Sequence, residues 1–429
     1  MSQERSDQDL SKNARLLAGV GERAKAASAI VARASSQQKD EALLLAADAI
    51  DARRADILLI NSDEMKAGEA NGLAKAFLDR MLLTDDRIDG ICQALRDIAG
   101  QNDPVGEVIE AWDRPNGLKI ERVRSPIGVV GIIYESRPNV TVDAAAICLK
   151  AGSAAILRGG SDCLRTAQAL HAGFVKGMVK AGLPADAVQI VETADRAAVG
   201  ELLSGLDGAV DMVIPRGGKS LVARVQNEAR VPVLSHLDGV CHVYVDAAAN
   251  PDKARDIAVN AKMRRAGICG AMETLLIDRS IANDVGPNIL SALLEEGCEL
   301  RGDPDICALN ESVTPASADD WGTEYLDTIL TVGVVDGVDG AIEHISKHGS
   351  GHTDAIVTED HATAERFLSK VDSAIVMLNA STQFADGGEF GLGAEIGIAT
   401  GKLHARGPVG VRELTTYRNL VRSDFAVRP

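Results

Sequence analysis

A cysteine set between two glycines is the residue of this sequence best suited to nucleophilic chemistry. It is Cys269, in the segment RRAGICGAMET at residues 264–274. A thiolate nucleophile needs a lowered pKa, which nearby positive charge or backbone donors provide, and glycines let a substrate approach the sulfur closely. The flanking charges and glycines are Lys262, Arg264, Arg265, Gly267 and Gly270. The alternative is that Cys269 is an inert buried thiol.

Two glycine-containing turns have the composition of nucleotide-binding loops. PRGGKS, residues 215–220, follows an apolar strand and precedes a helix, so its backbone N–H groups could bind phosphate. Its spacing is neither that of a Walker motif nor that of GxGxxG. In ILRGGSD, residues 156–162, Arg158 stands at a strand end before two glycines and could hold a ribose or a phosphate. The alternative for both segments is an ordinary surface turn.

Two further segments carry polar groups suited to an acyl or anionic substrate. In YESRPNV, residues 134–140, Asn139 could offer amide donors to an oxyanion, although a capped turn before a helix would look the same. GKLHARGPVG, residues 401–410, concentrates positive charge beside glycines and could bind an anion, or it could be a solvated basic loop. Its three cationic side chains are Lys402, His404 and Arg406.

Helices and strands that would position these residues alternate along most of the chain. Alanine- and leucine-rich stripes at helical spacing predict several long helices between about residues 9 and 99. Strand and helix patterns then alternate, which is typical of a mostly parallel sheet with ligands beyond the carboxyl ends of its strands. The predicted strands are 128–134, 154–157, 188–191, 212–214 and 241–245, and a second alternation begins after residue 246.

The bulk composition is that of an acidic globular protein with few aromatic rings. Its 429 residues, 46% of them hydrophobic, are enough for two or three domains with a buried core. A net charge of −17 disfavours DNA as a partner, because that field repels a polyanion. An aromatic content of 3% also disfavours a surface that stacks single-stranded nucleic acid or carbohydrate.

Targeting and cysteine patterns predict a cytoplasmic protein without a metal site. Residues 1–24 are polar and lack the apolar core of a signal peptide, and no apolar run is long enough to span a bilayer. The seven cysteines form no CxxC pair, so zinc and a redox dithiol are not expected. We therefore expect free thiols, no membrane partner and no metal.

Taken in order along the chain, these segments resemble the aldehyde dehydrogenase superfamily. PIGVVGII (126–133) resembles the strand leading to its oxyanion asparagine, and AGSAAILR (151–158) its adenosine-binding strand. PRGGKS resembles its phosphate loop, Cys269 stands where its nucleophile stands, and Glu324 resembles its ribose-binding glutamate. The resemblance implies an α/β fold of two Rossmann-like parallel-sheet domains with a small oligomerisation element, a homo-oligomer, and Cys269 and Asn139 as catalytic residues.

Three stretches resemble the branch of this superfamily that reduces L-glutamate 5-phosphate. They are residues 134–140, 348–358, and 384–397 running into 402–410. This implies NADPH-dependent formation of L-glutamate 5-semialdehyde and phosphate, in L-proline biosynthesis, with a functional association with glutamate 5-kinase. The implied cofactor-binding residues are Arg158, Ser161, Pro215, Gly217, Gly218, Lys219 and Glu324. The implied substrate- and phosphate-binding residues are Arg137, Lys402, His404 and Arg406.

On this resemblance we expect three segments. Residues 1–245 would be an NADP-binding domain that begins with the helices and includes, at 106–125, part of an oligomerisation hairpin. Residues 246–380 would be the catalytic domain, and residues 381–429 a glycine-rich return segment ending in an oligomerisation strand. The alternatives are a phosphorylating or CoA-acylating aldehyde dehydrogenase for another small acyl substrate, or a non-catalytic binding homologue, against which the intact Cys269 argues.

Two departures from the wider superfamily bear on the chemistry. Hydrolytic members carry a glutamate that activates water, whereas here His236 occupies that position, in SHLDG at 235–239. NAD-preferring members often carry a lysine and, three residues on, a glutamate that holds the ribose hydroxyls; here those positions are Arg158 and Ser161. Removing the carboxylate and supplying a guanidinium favours a 2′-phosphate, which predicts NADP as the cofactor.

Overall fold

The computed structural model describes residues 12–193 and 195–428. Residues 1–11 lie outside that part. The expectation about a signal peptide, and the first residues of the predicted helical region, therefore lie partly outside the described residues. Among the described residues, no helix combines the length and the apolar character needed to cross a membrane.

Helices and strands alternate through most of the described chain. The helices are α1 Lys12–Val31, α2 Ser36–Asp51, α3 Arg54–Ala70, α4 Lys75–Met81, α5 Asp85–Ala99, α6 Val140–Lys150, α7 Leu164–Lys180, α8 Ala197–Leu203, α9 Lys219–Glu228, α10 Pro251–Met263, α11 Ala282–Glu295, α12 Pro304–Leu309, α13 Gly337–His348 and α14 His361–Lys370. The strands are β1 Val108–Asp113, β2 Lys119–Pro126, β3 Val129–Tyr134, β4 Ala154–Arg158, β5 Val188–Ile190, β6 Met212–Arg216, β7 Cys241–Val245, β8 Met272–Asp278, β9 Glu299–Gly302, β10 Thr314–Pro315, β11 Ile329–Val335, β12 Thr353–Val357, β13 Ile375–Leu378, β14 Ile398–Ala399, β15 Gly407–Pro408 and β16 Thr415–Arg422.

The first compact unit contains a four-stranded parallel sheet. It comprises the described residues of Met1–Ser235, Gly391–Gly397 and Val409–Pro429, and its strand order is β5-β4-β3-β6. Every residue of β3 and of β4 is buried, as expected for strands covered by helices on both faces. Helices α2 and α7 pack closely because Gly177 lies against Ala46, where any Cβ would overlap the backbone.

A three-stranded antiparallel sheet, in the order β1-β2-β16, also belongs to the first unit. The β1–β2 hairpin falls in the segment predicted to start an oligomerisation element, and Tyr417 of β16 pairs with Arg124 of β2. Most residues of the outer strands β1 and β16 are exposed.

The second compact unit contains a seven-stranded parallel sheet. It comprises His236–Phe390 and Ile398–Pro408, and its strand order is β10-β9-β11-β8-β7-β12-β13. The central strand β8 is wholly buried and pairs with β7 and β11. Strand β7 was expected to end the first domain at residue 245; it instead pairs with β8 and β12, so the second unit begins at His236. The two parallel sheets confirm the predicted α/β fold.

A buried ion pair joins α10 to β8 in the second unit. Lys262 Nζ lies 2.6 Å from Glu273 Oε2, and both side chains have an exposed fraction of 0%. The sequence analysis had counted Lys262 among the charges available to Cys269. The structure corrects this, because the ammonium is engaged by Glu273 instead.

We expect Glu273→Ala to lower the free energy of unfolding by about 3–5 kcal/mol, because it leaves a buried ammonium without its partner. The measurement is urea denaturation followed by circular dichroism. The double variant Lys262→Met/Glu273→Leu removes both charges and should recover most of that loss. A single variant as stable as the unchanged protein would contradict this view of the pair.

Candidate active site

Cys269 lies in the loop between α10 and β8 and is half-buried. The loop is held closely from one side by the 235–239 segment, since a Cβ on Gly239 would overlap the carbonyl oxygen of Cys269. From another side, the thiol of Cys241 donates to the same carbonyl at 3.1 Å. Both contacts fix the backbone that carries the sulfur.

The other cysteines are poor candidates for a nucleophile. Five of them are buried, and Cys307 alone shares the half-buried state of Cys269 among the described residues, which include all seven cysteines. Burial raises the pKa of Cys148, Cys163 and Cys298 to about 12, and it also raises the pKa of Cys92 and Cys241. A raised pKa keeps a thiol protonated and therefore unreactive.

Two histidines accompany Cys269, and only one was noticed in the sequence. Ligand atoms of His236, Cys269 and His352 all lie within 4.8 Å of one another, and the imidazole rings meet edge to face at 4.9 Å. Burial, reinforced by His236, lowers the pKa of His352 to about 3, so this ring is neutral. His352 lies in the 348–358 stretch used for the resemblance, but nothing in the sequence places it beside Cys269.

Glu324, the expected ribose-binding residue, contacts the segment that packs on Cys269. Its Oε1 accepts a hydrogen bond from the backbone N–H of Gly239 at 3.0 Å. In this structure Glu324 therefore helps to hold the 235–239 segment, a role that the sequence did not indicate.

Lys402 and Arg406, two of the expected phosphate-binding residues, share one aspartate. Arg406 Nη1 lies 2.7 Å from Asp372 Oδ1, and Lys402 forms an ion pair with the other carboxylate oxygen. These two cations lower the pKa of Asp372. His404 is exposed, with a positive φ of 68°. The structure therefore brings Lys402 and Arg406 together at the carboxylate of Asp372. A phosphate that bound these two residues would have to displace that carboxylate.

Arg158, at the carboxyl end of β4, has other arginines near it in the first unit. Burial first, and then repulsion from Arg196, lowers the pKa of Arg158. Arg224 acts in the same direction, whereas Glu135 and Asp195 oppose the shift. The expected partner Ser161 is exposed and donates weakly to Asp162, at 3.4 Å. The sequence analysis missed Arg196 and Arg224, because only the fold brings them near β4.

The PRGGKS loop runs from the end of β6, at Pro215 and Arg216, into α9, which begins at Lys219. The backbone N–H of Gly218 donates to Glu135 Oε2 at 2.9 Å, and Gly217 leaves no room for a Cβ beside that carboxylate. An anionic group thus already lies at the amino end of α9, as the partial positive charge there favours.

Asn139 precedes the first residue of α6 in the first unit and makes no capping side-chain hydrogen bond, whereas Cys269 belongs to the second unit. Its Nδ2 donates to Asp143 Oδ2 at 3.0 Å. Burial raises the pKa of Asp143 to about 6, against the effects of Asn139 and Arg216. Arg137, the remaining expected substrate residue, precedes Asn139 by two positions and is half-buried.

Comparison with known proteins identifies the family. The aldehyde dehydrogenase family pattern matches residues 14–310. A gamma-glutamyl phosphate reductase of Brucella anthropi is 59% identical over 415 residues, covering 97% of each chain, and one of Parvibaculum lavamentivorans is 58% identical over 96% of this chain and 98% of its own.

A solved structure agrees with these sequence comparisons. The crystal structure of gamma-glutamyl phosphate reductase from Thermotoga maritima has a TM-score of 0.93 and 43% identity, covering 96% of this chain and all of that one. This chain belongs to the aldehyde dehydrogenase family, in the branch of the gamma-glutamyl phosphate reductases.

Proposed function

We propose that this protein reduces L-glutamate 5-phosphate to L-glutamate 5-semialdehyde and phosphate with NADPH, as a cytoplasmic step of L-proline biosynthesis. The observation that carries the proposal is Cys269, a half-buried thiol beside two histidines in a chain 59% identical to a gamma-glutamyl phosphate reductase. The expected CoA-acylating alternative shares the thioester chemistry but has no comparable support from relatives of high identity.

The residues of the first unit fit a nicotinamide dinucleotide phosphate. Arg158 is partly buried at the end of β4, with Arg196 and Arg224 among the charged groups near it, and a 2′-phosphate would pair with this concentration of guanidinium groups. The amino end of α9 already holds the carboxylate of Glu135, so it can hold an anion. Pro215, Gly217, Gly218 and Lys219 would line the phosphate side, and Ser161 the ribose side. Bound NADPH supplies the hydride.

Cys269 carries the covalent chemistry in our proposal. Its thiolate attacks the acyl phosphate carbon, the C–O bond to phosphate breaks, and a thioester forms on the sulfur. The backbone N–H of Cys269 would hold the oxyanion, and the resemblance to the superfamily assigns the side chain of Asn139 the same role. Because an amide carries two N–H donors, Asp143 can orient Asn139 through one and leave the other for this task. After reduction, the carbon–sulfur bond breaks, which releases the semialdehyde and restores the thiolate.

The basic segment at 401–410 is our candidate for holding phosphate. Lys402 and Arg406 bind Asp372 in this structure, and an incoming phosphate dianion would compete for the same two cations. His404 is the third proposed residue of this segment, and Arg137, in the first unit, is a separate substrate-binding candidate from the resemblance. Glu324, through Gly239, would position the segment behind Cys269 as well as contact a ribose.

The antiparallel sheet of the first unit is our candidate for assembly. Its outer strands β1 and β16 expose apolar side chains, including Val108, Ile109 and Val421, on strands with one unpaired edge each within the described chain. We propose a homo-oligomer that uses this sheet, and a functional association with glutamate 5-kinase, which would supply the acyl phosphate.

The reverse reaction tests the proposed function. Glutamate 5-semialdehyde, phosphate and NADP⁺ should yield NADPH with steady turnover, measured by its absorbance. Coenzyme A in place of phosphate should not support turnover. Turnover with coenzyme A and none with phosphate would favour the CoA-acylating alternative instead.

We expect Arg158→Ala to lower kcat/KM with NADPH by about tenfold to a hundredfold, and to change kcat/KM with NADH little. The reason is the loss of charge-assisted hydrogen bonds to the 2′-phosphate, about 1.5–3 kcal/mol. Arg33→Ala, which removes an exposed arginine between α1 and α2, is the matched control and should leave both values unchanged. Equal losses with the two cofactors would show that Arg158 does not recognise the 2′-phosphate.

A further inference from the structure

The group formed by His236, Cys269 and His352 has the chemistry of a metal site that the sequence did not predict. Two imidazoles and a thiol are ligands that Zn²⁺ prefers. Their ligand atoms lie within 4.8 Å of one another. Two ligands of one Zn²⁺ lie roughly 3.5 Å apart, given bond lengths of about 2.0–2.3 Å. A contraction of at most about 1.3 Å, within the reach of side-chain rotation, would therefore bring the three onto one ion.

His236 is held in the tautomer that a metal requires. Its Nδ1 lies 2.6 Å from the carbonyl oxygen of Ile398. A carbonyl oxygen only accepts, so Nδ1 carries the proton, and in the neutral ring Nε2 keeps its lone pair. Ligand histidines commonly donate their second ring nitrogen to a backbone carbonyl in this way.

His352 provides a separate reason to expect a metal ion at this place. Its side chain is fully buried, and its Nε2 has no hydrogen-bond partner among the described residues. The other nitrogen, Nδ1, is 2.9 Å from Thr353 Oγ1 and 3.6 Å from Cys241 Sγ. An imidazole nitrogen buried without a partner is costly, and a cation held between His352, His236 and Cys269 would satisfy it.

Cys241 is not a fourth ligand. Its thiol proton is engaged by the carbonyl of Cys269, and burial keeps its pKa well above the ordinary value. The fourth position of a tetrahedral ion would therefore remain for water or another small ligand, as in open zinc sites.

We propose that His236, Cys269 and His352 bind a thiophilic divalent cation, Zn²⁺ in the first instance, and that the bound ion blocks Cys269 reversibly. On binding, the sulfur–hydrogen bond is replaced by a sulfur–zinc bond and one proton leaves to solvent. The thiolate lone pair is then committed to the ion, so Cys269 cannot attack a carbonyl. The proposal concerns the binding of the ion and does not depend on which acyl substrate the protein uses.

Cobalt and zinc binding to the full-length protein test the proposal. Co²⁺ should bind with one ion per chain and show a thiolate-to-cobalt charge-transfer band, and Zn²⁺ should displace it. Cys269→Ser should abolish the band, and His352→Ala should weaken Zn²⁺ binding by at least about a hundredfold, the upper end of what the loss of an outer-shell partner costs. His361→Ala, whose side chain is 86% exposed, is the control and should bind as the unchanged protein does.

A second measurement needs no variant. Zn²⁺ should protect Cys269, but not Cys307, from iodoacetamide in the unchanged protein, as read by peptide mass spectrometry, and a chelator should restore labelling. Undiminished zinc affinity in Cys269→Ser and His352→Ala, or labelling of Cys269 at the same rate with saturating Zn²⁺, would overturn the proposal. These readouts stay informative if the protein fails to turn over glutamate 5-phosphate.

Discussion

Replacing Cys269 by alanine should lower kcat by at least about 10⁴-fold, because without the sulfur no thioester can form. The folded state and the binding of NADPH should be retained, since Cys269 lies in a loop of the second unit and its side chain is half-buried. Turnover in both directions and NADPH binding by fluorescence titration are the measurements.

Cys307→Ala is the matched control for this variant. Cys307 is also half-buried, and its thiol only donates to the carbonyl of Gly302, at 3.4 Å. We expect Cys307→Ala and each of the five buried cysteines, changed singly, to keep most of the activity. Among these variants, Cys241→Ala tests the expectation most severely, because it removes the hydrogen bond from the Cys241 thiol to the carbonyl of Cys269. Full turnover by Cys269→Ala would exclude the thioester mechanism.

Without phosphate, the reverse reaction should form about one NADPH per active site and then stall. A thioester on Cys269 needs a nucleophile to release it, and water is a poor one without a positioned base. On the resemblance to the superfamily, His236 occupies the position at which hydrolytic members carry a glutamate base. A phosphate dianion is nucleophilic at neutral pH without such a base, so adding phosphate should start steady turnover. Rapid mixing with and without phosphate measures the burst and the steady rate.

His236 is the residue that could contradict this expectation. The carbonyl of Ile398 fixes its proton on Nδ1, so Nε2 of the neutral ring could accept a proton from water. Sustained NADPH formation in phosphate-free buffer, lost in His236→Ala, would show that His236 acts as a replacement base. A burst of equal size in the unchanged protein and in His236→Ala would support the view that the enzyme stalls because no base activates water.

Local pattern predicted the main alternation of helices and strands and the residue types for the chemistry. The alternation of buried-strand runs and helices gave parallel sheets, as observed, because hydrophobic periodicity depends on near neighbours in the sequence. Cys269 was a candidate from its flanking glycines and the positive charges near it in the sequence. The resemblance to the aldehyde dehydrogenase family followed from the order of motifs and is confirmed. The position in the chain at which the second sheet begins could not be predicted from local pattern, because the sequence of β7 is that of a buried strand whichever sheet it joins.

The sequence by itself therefore determined the fold class, the family and the candidate nucleophile. Tertiary structure decided which charged side chains form ion pairs and which are brought together. Glu273 pairs with Lys262, and Asp372 pairs with both Lys402 and Arg406. Arg196 and Arg224 lie near Arg158. His352 comes within 4.8 Å of Cys269 across 83 positions of sequence. Such pairings depend on the path of the chain and on burial, which local residue patterns do not encode, since the same lysine or histidine fits a solvated surface equally well.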